Sequence, residues 1–260
     1  MPPNYQPIKS LYFSQNFLTS TKTIERLLRI SNIGKHDHVI EIGAGKGHIT
    51  RILVRKSKLV TAVEPDRQLF SKLQKNLKTI PNLKLLNIDF LKMRLPINES
   101  YKVFSNIPFA ITTDIMRKLF EAKTPPVETW LVMEKGAAKR FMGQPNENIN
   151  SFYLKPFFDL KIVYYFLKND FHPKPSADTV LLYIKQKEHP DLALSERKNF
   201  KFFLTHISKY GMFNVLTKKQ VATALKLENL PPIEHADKII DTQWLALFRY
   251  WSKFSSHHLT

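Results

Sequence analysis

An α/β fold built on a parallel sheet, followed by a small helical domain, is predicted by three features of this 260-residue chain. Short apolar runs alternate with stretches of helical period from residue 38 to about 182. Two late β-rich runs close that alternation with no helical pattern between them. Beyond Lys187-Glu188-His189-Pro190 the strand pattern stops, and apolar residues recur only at helical spacing. Strands alternating with helices of 8–12 residues imply a parallel sheet covered on both faces.

Taken in order, residues 39–42 read as a first strand. Residues 48–55 read as a helix with Ile49, Ile52 and Leu53 on one face. A second strand is expected over 59–63, a helix over 68–77, a third strand over 83–88 and a fourth over 101–105. A helix over 113–121 and a fifth strand over 129–133 complete the alternation. The runs 161–167 and 179–184 suit an edge hairpin that closes the sheet. In the tail, Phe200, Phe203, Leu204 and Ile207 line one helical face, and Gly211 is a suitable C-terminal stop. Thr217-x-x-Gln220 fits a capping box opening another helix. Trp244, Leu247, Phe248 and Trp251 form a third stripe, so three helices should pack into a second core.

The formal charge is +18, with a sequence pI near 9.9. Residues 1–185 carry 29 Lys/Arg against 15 Asp/Glu, so most of the excess lies in the α/β part. A field of this size favours polyanions, and nucleic acid is preferred over anionic membrane. The absence of cysteine excludes disulfides and thiolate metal sites. No histidine spacing suggests zinc, and His257-His258 reads as a solvated tail. No apolar run approaches the length of a membrane span, and residues 1–10 lack the pattern of a signal peptide.

In open parallel sheets, ligands bind beyond the carboxyl ends of the strands. Gly43, Gly45 and Gly47 follow the first strand in Glu41-Ile42-Gly43-Ala44-Gly45-Lys46-Gly47. Glycines there let backbone approach a ligand and leave helix N–H groups to receive it. The G-x-G-x-G spacing differs from the dinucleotide fingerprint, which weakens a nicotinamide oxidoreductase reading. Glu64 ends the second strand, where a carboxylate can accept from both ribose hydroxyls. Asp89 ends the third, where it can accept from an adenine amino group. Asn106-Ile107-Pro108-Phe109 follows the fourth. The Asn106 side-chain oxygen and the Ile107 carbonyl suit the two N–H groups of an exocyclic amine, Pro108 sets the turn, and Phe109 suits stacking on an extruded base. Glycine turn, strand-end carboxylates and amine pocket together point to methyl transfer from S-adenosyl-L-methionine to an adenine in RNA. A non-catalytic RNA-binding protein on the same scaffold is the alternative that the charge alone would support.

Ser14-Gln15-Asn16-Phe17-Leu18, residues 41–47, Asn106-Ile107-Pro108-Phe109 and Phe171-His172-Pro173-Lys174-Pro175 occur in the order found in the rRNA adenine N6-dimethyltransferases, which this chain resembles over about residues 10–255. Within that family it is most similar to the erythromycin-resistance (Erm) group, which modifies one adenine of 23S rRNA. The small-subunit group usually carries Leu and Tyr where this chain has Ile107 and Phe109. The resemblance implies a Rossmann-like class I S-adenosylmethionine-dependent methyltransferase domain over 1–187 and a helical domain over 188–260. It implies N6-methylation of 23S rRNA, carried to the dimethyl stage and associated with macrolide-class antibiotic resistance, by a cytoplasmic monomer needing neither metal nor membrane. Methylation of small-subunit rRNA is the alternative within the family. Residue by residue, it places Asn16, Leu18 and Gly43 at the methionine part of the cofactor, Glu64 at its ribose and Asp89 at its adenine. Asn106 would hold cofactor and target amine together, and Phe109 and Phe171 would sandwich the target base. Lys139, Arg140 and Lys174 are candidates for phosphate contacts.

Overall fold

The computed structural model describes residues 16–233 and 239–255. Ser14, Gln15, residues 1–10 and His257-His258 lie outside them. The chain opens with a two-residue strand, β1 (Phe17–Leu18), and a helix, α1 (Thr21–Ile30). There follow β2 (His38–Ile42), α2 (Thr50–Lys56), β3 (Leu59–Val63), α3 (Arg67–Leu77), β4 (Leu83–Leu86), β5 (Lys102–Asn106), α4 (Thr112–Phe120) and β6 (Glu128–Glu134). Next come α5 (Lys135–Phe141), α6 (Ile149–Leu154), β7 (Phe158–Tyr165), β8 (Phe171–His172) and β9 (Thr179–Gln186). The last helices are α7 (Arg197–Tyr210), α8 (Met212–Val215), α9 (Lys218–Leu227) and α10 (Asp241–Ser255). Every expected strand and helix has its counterpart within a few residues.

Two units emerge. The first holds residues 16–138 with Leu160–Gln186; the second holds Lys139–Asp159 with residues 187–255. A single boundary at 187 assigns 139–159 to the α/β part, whereas in the structure they group with the helical part.

In the first unit the main sheet has the order β4-β3-β2-β5-β6-β9-β7. The pairs β2–β3, β3–β4, β2–β5 and β5–β6 are parallel, and β6–β9 is antiparallel. The Phe166 N–H donates to the Thr179 carbonyl at 3.0 Å, joining the end of β7 to the start of β9 at the edge. Val39, Ile40, Val60, Ala62, Val103, Phe104, Leu131, Val132 and Leu181 are wholly buried, as strands covered on two faces require. Each such Val or Leu contributes about 1.5–3 kcal/mol through burial. Asp66 starts α3 by accepting the Gln68 and Leu69 N–H groups, each at 2.8 Å.

The sequence reading assigns no helix before the first strand, yet α1 is capped by Ser20 and buries Ile24, Leu27 and Leu28 at helical spacing. Both the cap and the apolar spacing are local features of the sequence. The pairing of β1 with β8 is also new: Phe17 faces His172 and Leu18 faces Phe171. Thr23 Oγ1 pins the same juncture by donating to Asp170 Oδ1 at 2.8 Å. Two motifs about 150 residues apart are thus brought together.

In the second unit Asn148 caps α6 through the Asn150 and Ser151 N–H groups. Thr217 and Gln220 make the expected capping box on α9, and Gly211 ends α7 at a φ of 85°. Aromatic rings form the core: Phe200 meets Phe248 at 5.0 Å, Phe203 meets Trp251 at 5.3 Å and Phe157 meets Phe200 at 6.4 Å between centroids. Lys155 pairs with Glu147 and, at 3.1 Å, with Asp241, tying the start of α10 to α6.

Candidate active site

Going along the chain, β3 and β4 are added on one side of β2, while β5 and β6 are added on the other. The sheet order therefore reverses between β2 and β5, and that is where doubly wound sheets open a crevice at their carboxyl ends. The β2–β5 ladder stops at Ile40–Val103. Beyond it Ser105 stands in for backbone: its hydroxyl accepts the Ile42 N–H at 3.1 Å and donates to the Ile42 carbonyl. A buried side chain thus parts the strands just below the glycine turn and the Asn106 tetrapeptide.

The glycine turn is shaped by backbone conformation. Gly43, Gly45 and Gly47 have φ values of 71°, 56° and 78°, in the left-handed region that glycine adopts freely. The Gly43 and Ala44 N–H groups donate to the Val63 carbonyl at 2.8 and 3.0 Å. A Cβ on Gly43 would lie 3.8 Å from the Pro108 ring, so the tetrapeptide packs directly on the turn. A Cβ on Gly45 would lie 2.6 Å from the Phe17 ring. The cleft so formed is lined by Asn16, Phe17, Gly43 and Asn106-Ile107-Pro108-Phe109.

Asn106 is the pivotal residue. Its Nδ2 donates to the Asn16 carbonyl at 2.7 Å, which sets the orientation of the amide. Its Oδ1 is buried and has no hydrogen-bond partner among the described residues. An unsatisfied buried acceptor is costly, and at a cleft it marks a place where a donor belongs. Ile107 is anchored by burial and by its N–H, which donates to the Val132 carbonyl at 3.3 Å. Phe109 is half-buried at the start of a short 3-10 turn, with its carbonyl accepting from Thr112 Oγ1 at 2.9 Å.

Beneath the turn lie two buried carboxylates, each 1% exposed. Glu64 Oε2 accepts the Gly45 N–H at 2.7 Å, and Oε1 accepts the Asp66 N–H at 2.9 Å. Burial still holds its carboxyl above the usual range. Two oxygens with two donors leave acceptor capacity for hydroxyl groups. Glu41, on β2, accepts from Thr50 Oγ1 at 2.6 Å. Burial, reinforced by the neighbouring Glu64 charge, pushes it up to about 8, against the lowering effect of the Thr50 bond. Between the ordinary carboxyl value and 8, the folded chain keeps a proton that the unfolded chain releases. Stability therefore falls as pH rises through this window, by up to about 1.4 kcal/mol per unit. Glu41→Gln, a neutral isostere, should melt less pH-dependently than the wild type between about pH 5 and 8. Identical pH dependence in the two proteins would show that Glu41 is ionised in the fold.

Asp89 is half-buried and caps a short turn by accepting the Leu91 N–H at 2.9 Å. Asn87 donates to the Glu64 carbonyl at 2.8 Å, holding the ends of β3 and β4 together. Not every expected residue reaches the cleft. Leu18 is 2% exposed and packs in the core, whereas its neighbour Phe17, given no role from the sequence, lines the cleft. Strand alternation explains the exchange, since one of two successive residues must point away. Phe171 is 3% exposed, with its ring 5.2 Å from that of Phe166. It sits behind the Asn16–Phe17 segment through the β1–β8 pairing. Lys174 is exposed in the first unit, and Lys139 and Arg140 are exposed in the second.

A doubly wound sheet with this strand order, a glycine turn after its first parallel strand and a polar cleft at the reversal point defines a class I methyltransferase fold. The crystal structure titled "23S rRNA methyltransferase ErmE" superposes with a TM-score of 0.75 at 24% identity, covering 91% of this chain and all of that one. A model of the ribosomal RNA adenine dimethylase family matches residues 9–250, so the chain belongs to that family. An "rRNA adenine N-6-methyltransferase" of Limosilactobacillus reuteri is 34% identical over 95% of this chain and 98% of its own length. A "Ribosomal RNA small subunit methyltransferase A" of Mycoplasmopsis pulmonis is 29% identical over 91% and 96%. The chain is accordingly an enzyme, an rRNA adenine N6-methyltransferase.

Proposed function

We propose that this chain transfers methyl groups from S-adenosyl-L-methionine to N6 of one adenine of 23S rRNA, to the dimethyl stage, conferring macrolide-class resistance. The observation that carries the chemistry is the buried, unpartnered Asn106 Oδ1 beside a glycine turn that can accept a ligand. Bound there, the cofactor supplies an electrophilic methyl group on a sulfonium that departs as a neutral thioether. Asn106 Oδ1 accepts one N–H of the target amine, and the Ile107 carbonyl accepts the other. Two acceptors on one side of the nitrogen favour its pyramidal form and aim the lone pair at the methyl group. The Nδ2 bond to the Asn16 carbonyl holds Oδ1 in place for this without reorganisation. The departing group is good enough that no strong base is asked of the chain; the nitrogen, cationic once methylated, would release its proton to water.

Glu64 receives the ribose hydroxyls with its remaining lone pairs, Asp89 the adenine amine, and Asn16 and Gly43 flank the methionine end. Leu18 and Phe17 shape that end from β1. Phe109 stacks on the extruded base; Phe171 backs the same wall and reaches the base only if the β1–β8 segment shifts. Lys139, Arg140 and Lys174 take phosphates. The 23S assignment is favoured by Ile107 and Phe109, the residues that differ from the usual Leu and Tyr of the small-subunit group. The working form is a cytoplasmic monomer that uses no metal; among the described residues no helix is long and apolar enough to cross a membrane.

Deproteinised 23S and 16S rRNA, incubated with enzyme and methyl-labelled cofactor, test this reading. Label in 23S, with a primer-extension stop at one adenine, is the expected result. Label confined to 16S would overturn the 23S assignment, and no label in either would overturn methyl transfer.

A further inference from the structure

Helix α7 in the second unit presents two distinct faces. Phe200, Phe203, Leu204 and Ile207 are buried. The opposite stripe bounds an open groove and carries Lys198, Lys201, Phe202, His206, Lys209 and Tyr210. Their spacing of three, four, eight, eleven and twelve from Lys198 puts them on one side of the helix. The face of a surface helix opposite its apolar stripe typically carries charged and polar residues, and here it also carries Phe202, 40% exposed, and Tyr210, 49% exposed. The rings form a continuous ladder. Phe202 and His206 lie 3.9 Å apart between centroids with planes 34° apart, and His206 and Tyr210 lie 5.5 Å apart. Lys209 Nζ stands 4.9 Å over the Tyr210 ring. No acidic residue occurs anywhere in α7.

We propose that this face of α7 is a second RNA-binding surface, separate from the cleft, on which unpaired bases of the substrate stack against Phe202, His206 and Tyr210 while Lys198 and Lys209 hold the phosphates. The inference rests on the rRNA substrate assigned above. Sequence-tolerant recognition of single strands combines such a cationic track with aromatic platforms. Self-pairing of the same face in a two-fold dimer would set lysines against lysines, which disfavours a second copy as occupant. A target adenine must be unstacked to reach the cleft, so the RNA substrate of such an enzyme carries unpaired bases.

The test uses the full chain and a fluorescein-labelled oligouridylate 12-mer, which contains no adenine for the cleft, read by anisotropy over a salt series. Phe202→Ala/Tyr210→Ala should weaken binding at least about tenfold with the salt slope unchanged, since stacking is lost but no phosphate contact. Lys198→Gln/Lys209→Gln should make the log–log slope shallower by about 1.4, at about 0.7 per phosphate of a single strand. S-Adenosylhomocysteine affinity should stay at the wild-type value in both. If the aromatic double variant loses that affinity through misfolding, the lysine pair, on exposed positions, decides. No wild-type binding of the 12-mer, or wild-type behaviour of both variants, overturns the proposal. Loss of binding only to phosphatidylserine vesicles would overturn it in favour of a membrane. Because the probe cannot be methylated, the outcome stands apart from that of the rRNA labelling assay.

Discussion

Asn106→Ala should lose at least about 10²-fold in methyl transfer to rRNA while keeping a cooperative melt. The side chain performs two tasks with its two ends. Nδ2 holds the Asn16 carbonyl, so the variant loosens the segment carrying Phe17. Oδ1 is the buried acceptor with no partner among the described residues. Alanine removes the acceptor and leaves the Asn16 carbonyl without its donor, but Asn16 is only partly buried and lines the cleft, where water can replace the bond, so the fold should bear it. The loss should appear in turnover beyond any change in S-adenosylhomocysteine affinity, because the bond to the amine strengthens as the nitrogen becomes pyramidal. Asn106→Asp tests the same point from the other side. It keeps an acceptor but forfeits the donor to Asn16, and it should recover little of the activity. Near-normal turnover in Asn106→Ala would remove Asn106 from the chemistry.

Gly45→Ala should lower S-adenosylhomocysteine affinity at least about tenfold and the melting temperature by roughly 5 °C or more. Alanine at a φ of 56° costs about 1–2 kcal/mol in backbone strain. Its Cβ would also fall 2.6 Å from Phe17 Cε1, and overpacking of that kind costs typically about 1–3 kcal/mol. Relief by moving Phe17 would disturb the β1 side of the cleft, and relief by moving the turn would draw the Gly45 N–H off Glu64. Either route reaches the cofactor site. Gly136→Ala is the matched control: a Cβ there meets nothing within 4 Å, and α5 should be unchanged or slightly more stable. Equal affinities for wild type and Gly45→Ala, measured by calorimetry, would show that the turn does not approach the ligand.

Much of the α/β scaffold was legible because its signals are local. Buried parallel strands are continuous apolar runs, and glycine, carboxylate and Asn-Ile-Pro-Phe groups punctuate their carboxyl ends in register. The topology then places those ends side by side by rule. The pairing of Phe17-Leu18 with Phe171-His172 is set by tertiary contact across most of the first unit, and two-residue strands carry no period to read. That pairing decides that Phe17 faces the cleft and that Leu18 and Phe171 face the core. The helices α5 and α6 have seven and six residues, too short for a helical period to register. The raised pKa of Glu41 is not legible locally for another reason: it comes first from burial beneath the folded turn and then from Glu64, which is remote in sequence and adjacent only in the fold. On α7 the exposed aromatic stripe shares the helical period of the buried one, so periodicity alone does not separate the two faces.

The central claim is that one crevice, between the ends of β2 and β5, receives both the methyl donor and the target amine. A crystal structure with S-adenosylhomocysteine tests it most directly. The thioether sulfur is expected within contact distance, about 4 Å, of the Asn106 side chain, with the ribose hydroxyls on Glu64. A sulfur lodged away from Asn106, or a ribose that leaves Glu64 untouched, would contradict it.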